Sequence, residues 1–418
     1  MKRPIFIIIG TIFIFILLMV WVYVLFFSTP TADGPRFADF NIFGPRATTT
    51  EVADVPPEVT EPAIDVVGNE PLRQLTSRPT AGFVEVNDES SSTTYIYYIE
   101  AGTGHVYSIN MSTGNEERRS ATTFSATRHG VITPDGKHVF VQSGLGSAAK
   151  YIVGTMATTS KSITPIELPE KIISFTATKE NTFLYASQQA STVIVKDYDP
   201  ASKQTRTLFT IPFREVAFDW GTSANDTHHA YPKATSQLVG FLYEARQDGS
   251  LVRLPVSGPG LTVATSDNKV LYSVQSDGVY HSYILDALSG SIFEQGTPIL
   301  PEKCAESSAM RHHLYCGRAL TSYGEDMPDL WYQGEVILND DIWFVDLSTG
   351  ESRLLIDVRN ESGRQIDIVQ PQLNDLENAL YFINKTDRTL WVYEVPEPPK
   401  APNTDMLEEG EVSEEVTI

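Results

Sequence analysis

The chain has 418 residues, 41% of them apolar, and its 53 Asp and Glu against 31 Lys and Arg leave a formal net charge of -22. So acidic a surface repels phosphate backbones and anionic head groups, which argues against nucleic acid as a partner and leaves cationic groups, divalent ions and neutral ligands open. There are two cysteines, Cys304 and Cys316.

In chain order, residues 1–4 carry Lys2 and Arg3, and residues 5–27 read IFIIIGTIFIFILLMVWVYVLFF without a charge. At about 1.5 Å per residue this run crosses a hydrocarbon core of about 30 Å. It is longer than the roughly 7 to 15 apolar residues of a cleaved signal, and Phe26-Phe27-Ser28-Thr29-Pro30 offers no small-x-small exit. An uncleaved anchor helix is therefore expected, with the basic N-terminus in the cytoplasm and the body outside it, in a single-pass cell-membrane protein. Residues 28–70, rich in Pro, Thr, Glu, Ala and Val without a period, are expected to form an extended spacer. At the far end, residues 396–418 are Pro-rich and then acidic, the composition of a disordered tail.

Between these flanks, residues 71–395 show no helical periodicity. They carry many short runs rich in Val, Ile, Tyr, Phe and Thr, such as TTYIYYIEA, HVFVQS, KVLYSVQS and DIWFVDLS, separated by Gly, Asp, Asn, Pro and Ser. This is an all-β pattern. It repeats: first strands are expected near Ala81, Ala126, Ile172, Glu215, Leu261, Lys303 and Ile366, a spacing of about 45 residues with one longer gap, as in the four-stranded blades of a propeller. The last unit shows only three strands, and LRQLT at 72–76 resembles fourth strands such as SRLLI at 352–356. The expected fold is an all-β, seven-bladed β-propeller whose last blade is completed by an N-terminal strand, which removes both sheet edges.

The turn Thr133-Pro134-Asp135-Gly136-Lys137 before HVFVQS, with weaker copies in the other units, resembles the repeat of TolB-type, WD-repeat-like β-propellers of bacteria. That resemblance implies a bacterial envelope setting. It also implies an interaction scaffold, since members without an appended catalytic domain usually act as one.

Cys304 and Cys316 flank the sixth-unit turn. As a hairpin centred near Met310 it would set them opposite each other on antiparallel strands, where a disulfide fits. His138, His228, His229, His312 and His313 fall just after first turns. Adjacent strand residues point to opposite faces, so no metal site is expected, and these histidines are expected as polar strand starts on a solvated rim. No cofactor motif is present. The segment GLGSAA at 144–149 leads into a strand where a dinucleotide fingerprint needs a helix. The departure from the repeat is the insertion RALTSYGEDMPDLWYQGEVILND between the second and third strands of unit six. Its Tyr323, Trp331 and Tyr332, beside Arg214 and Arg364 near the channel mouth, are the candidate binding residues, with packing of Trp331 and Tyr332 onto the blade as the alternative. The expected partner is an envelope protein or cell-wall glycan. A glycan- or peptide-processing enzyme with channel carboxylates, or an assembly factor of a secretion or appendage machine, are the alternatives.

Overall fold

The computed structural model describes residues 66–396 apart from Glu89, Thr158 and Ser322, together with Met19. The proposed anchor, the spacer up to residue 65 and nearly all of the acidic tail lie outside the described residues. Among the described residues no helix is long and apolar enough to cross a membrane.

Seven antiparallel four-stranded sheets follow one another along the chain as the blades of a β-propeller. Blades 1 to 7 span residues 80–120, 127–168, 172–211, 216–259, 262–295, 304–356 and 368–394. In blades 1 to 6 the strands pair in sequence order. Blade 7 takes its outermost strand from the other end of the chain: Leu72–Gln74 pairs antiparallel with Leu390–Glu394, Leu72 opposite Tyr393 and Gln74 opposite Trp391. Leu72 and Leu75 bury their side chains at this closure, and Leu75 N donates to Leu390 O at 2.7 Å.

Alternating apolar positions give each blade two buried faces, so the core is divided among the blade junctions. Phe83, Ile96, Tyr381 and Ile383 fill the junction between blades 7 and 1. Ile99, Val106, Val139 and Ile152 fill that between blades 1 and 2, and Tyr231, Leu242, Val263 and Tyr272 that between blades 4 and 5. At the channel, neighbouring first strands come so close that a Cβ on Gly82 would lie 1.7 Å from the Gly130 carbonyl oxygen, so only glycine fits.

The turns after the first strands tie blade to blade. In the Thr133–Lys137 turn, Gly136 takes φ of 68°. Thr133 Oγ1 donates to Asp135 Oδ1 at 2.6 Å, and Asp135 N donates to Asn181 Oδ1 in the equivalent turn of blade 3 at 2.9 Å. Lys179 N donates to Thr222 O at 2.9 Å, and His312 N to Ser266 Oγ at 3.0 Å.

The histidine expectation needs correction. His138, His228 and His229 are buried rather than placed on a solvated rim, because the turns touching the next blade cover the strand starts. Gly221 N donates to His228 Nδ1 at 3.1 Å, and the ring packs 5.9 Å from Phe209 and 5.7 Å from Trp220. Two one-turn helices, α1 (Asp329–Gln333) and α2 (Val358–Ser362), also interrupt the strands. They are too short to show a period in the sequence.

Candidate functional site

The first strands of all seven blades surround a cavity of about 640 Å³. Its wall takes Phe83 from blade 1, His129 from blade 2, Ser174 and Phe175 from blade 3, Asp219 and Trp220 from blade 4, Ala264 from blade 5, Glu302 and Cys304 from the start of blade 6, and Gln370 and Gln372 from blade 7. Tyr231 and Lys233 of blade 4 and Tyr332 of the insertion complete it.

Asp219 ends the strand Val216–Asp219. Its Oδ2 accepts from both the backbone N and the Oγ1 of Thr265, each at 2.7 Å. Burial pushes its carboxyl up to about 6, against the opposing pull of the Thr265 hydrogen bonds. On the opposite face of the chain here the rings of Phe218 and Trp220 stack at 4.2 Å, and Trp220 Nε1 donates to Ser174 Oγ at 3.0 Å, which fixes the indole across the junction of blades 3 and 4.

Glu302 precedes the strand Cys304–Glu306 and accepts a hydrogen bond from the Tyr332 hydroxyl. Burial raises its carboxyl, opposed by that hydrogen bond and by the charges of Lys233 and Lys385. Tyr231 lies in the negative fields of both Glu302 and Asp219, although burial is the larger reason its phenol is pushed up. No basic side chain comes within 4.0 Å of either carboxylate among the described residues. Across the cavity His129 lies 3.2 Å from Gln370 Nε2, and burial, aided by the Arg388 charge, lowers it to about 4, so it is neutral near pH 7.

The insertion is fastened over this site. Asp329 Oδ2 of α1 accepts from Ser236 N and Ser236 Oγ at 2.7 Å and from Thr235 Oγ1 at 3.1 Å. Trp331 Nε1 donates to both oxygens of Asp367 at 3.0 Å. Beneath the indole Lys303, 0% exposed, binds Asp340 and Asp367 of blades 6 and 7.

Of the candidate aromatics, Tyr323 and Trp331 are 6% and 5% exposed and form a small core with Tyr280, Leu300, Met327 and Leu338. They pack the insertion onto the ring, and only Tyr332 reaches the cavity. Arg214 is exposed and outside the cavity wall. Arg364 is exposed too, 3.9 Å from Asp387 and 5.9 Å above the Trp391 ring. Cys304 and Cys316 form the expected disulfide as a directly opposed cross-strand pair.

No protein-family model and no curated protein matches this chain. Solved structures that it resembles include the β-propeller domain of the Trilobed protease from Pyrococcus furiosus, described as having an open velcro topology, at 10% identity and a TM-score of 0.46, covering 75% of this chain and 95% of that one. Another is an oligogalacturonate lyase from Vibrio parahaemolyticus, at 11% identity and a TM-score of 0.49, covering 78% and 94%. The likeness is one of fold. Asp219, Glu302 and Lys233, absent from the sequence-based candidates, are the charged groups that the ring brings to one cavity. Among the described residues no group of three or more His, Cys, Asp and Glu is placed to hold a metal ion.

Proposed function

We propose that this chain is a membrane-tethered, extracytoplasmic binding module of the bacterial envelope, akin to TolB-type propellers, that receives part of an envelope protein or cell-wall glycan in its central cavity. The observation that carries the reading is the cavity itself: about 640 Å³, walled by aromatic rings, amides and two carboxylates without an ion-pair partner. Concave sites of this size with a few convergent polar groups are where ligands bind. The fixed insertion supplies one wall of the site through Tyr332 and leaves the others to the ring.

A second reading, a glycan- or peptide-processing enzyme, is favoured by one feature. The raised Glu302 carboxyl beside the Tyr332 hydroxyl is the kind of group that acts as a general acid.

Capture from solubilised envelope by the full chain tests the first reading. Gln372→Trp narrows the cavity from an exposed position and is expected to lose the partner, whereas Arg214→Ala keeps it. A partner retained by Gln372→Trp refutes the channel as the binding site. Release of glycan or peptide fragments by the wild type but not by Glu302→Gln would establish the second reading instead.

A further inference from the structure

The chemistry of the wall narrows the ligand class, on the premise that the channel is the binding site. Among the described residues two carboxyls, Asp219 and Glu302, line it against one amine, Lys233. His129 is held neutral. Asp219 is satisfied at one oxygen by Thr265, and among the described residues the other accepts no hydrogen bond. Both carboxyls are half-buried and neither has an ion-pair partner within 4.0 Å among the described residues, and a carboxylate partly withdrawn from water without such a partner is costly. A site built this way gains most from a ligand that supplies the missing charge through charge-assisted hydrogen bonds. Aromatic residues also line the cavity, Phe83, Phe175 and Trp220 among them, Glu302 stands beside Tyr332, and ring faces attract cations. Among the described lining residues, an anionic ligand would have only Lys233 to meet it.

We propose that the channel recognises an organic cation, a primary amine or guanidinium group on a peptide or small molecule, with Asp219 as the principal acceptor and Glu302 as the second. The aromatic walls hold its apolar stem.

The test is calorimetric titration of the full chain in detergent with phenethylamine, its neutral N-acetyl derivative and phenylacetate. Only the amine is expected to bind. Asp219→Asn and Glu302→Gln should each weaken it by about tenfold or more, the scale of one charged hydrogen bond. Asp267→Asn, an acid half exposed near the same turns, should leave it unchanged. Equal loss in Asp267→Asn means that the diffuse field of a chain of charge -22 holds the amine, and overturns the proposal. Preference for the neutral or anionic probe, abolished by Gln372→Trp, overturns the cation while keeping the channel. Binding of none of the three overturns the cation; if Gln372→Trp also keeps its envelope partner, the channel reading falls with it. The ranking of probes by the wild type decides the matter even where a variant misfolds.

Discussion

Lys303 offers the sharpest test of how the insertion is held. Its side chain is 0% exposed, and Nζ donates to Asp340 Oδ2 and, at 2.5 Å, to Asp367 Oδ1. The carboxylates have other donors, Ile368 N to Asp340 at 2.7 Å and Trp331 Nε1 and Leu338 N to Asp367 at 3.0 Å, but no other buried cation bridges them. Lys303→Met keeps the aliphatic stem and removes the charge, leaving two buried carboxylates facing each other. Removal of one partner from a buried ion pair costs about 3–5 kcal/mol. In a domain of this size that corresponds to a fall in Tm of roughly 4–7 °C. Thermal melting of wild type, Lys303→Met and the double variant Lys303→Met/Asp340→Asn measures it. The double variant is expected to recover part of the loss, because neutralising Asp340 removes the repulsion while Asp367 keeps its Trp331 and Leu338 donors. A single variant within about 1 kcal/mol of wild type, or a double variant less stable than the single, would refute the account.

Three further outcomes are expected. Cys304→Ser or reduction opens a loop of sequence separation 12, a loss of about 3 kcal/mol by chain entropy, read as a lower denaturant midpoint, with one thiol appearing in a labelling assay of the variant and two after reduction of the wild type. Replacing Leu72 by Arg should free the edge of Leu390–Glu394 and produce concentration-dependent self-association on gel filtration, since an unpaired edge recruits further strands. The third concerns pH. Asp219 titrates near 6 when folded, above the usual aspartate range near 4, so its contribution to stability is full below about 4 and is lost as pH rises through about 6. Asp219→Asn should therefore be no less stable than wild type below about 4 and more stable above about 6. Glu306 lies in the field of this carboxyl and is itself raised to about 7, by burial first and then by acidic neighbours of which Asp219 is the first. The comparison must therefore be made as a difference between the two proteins across pH; equal slopes would refute it.

The blades were legible because each unit repeats its own punctuation. First strands expected at Ala81, Ala126, Ile172, Glu215, Leu261, Lys303 and Ile366 begin at Thr80, Thr127, Ile172, Val216, Thr262, Cys304 and Ile368. The strand at Leu72 and the opposed cysteines followed from the same register logic. The site was not legible, because no local pattern marks it. Asp219, Glu302 and Gln370 lie far apart in sequence and meet only when the ring closes, and each looks like an ordinary polar residue beside a strand. Trp331 stayed open between packing and binding for a related reason. The partner of its indole, Asp367, is 36 residues away, and those of Lys303, Asp340 and Asp367, are 37 and 64 residues away. An aromatic in a long loop therefore reads as exposed until the buried charges beneath it are known.

The closing strand has a mechanical consequence. Leu72–Gln74 is both the clasp of the ring and the segment through which any load on the preceding residues enters the propeller. Tension on that side is borne by Val66 in the junction of blades 7 and 1, by a three-residue ladder with its Arg73–Glu394 ion pair, and by two leucine side chains. Under force the ring should therefore part first at blade 7, and it should reseal there once the load is released, with the other six sheets still standing as a template for the returning strand.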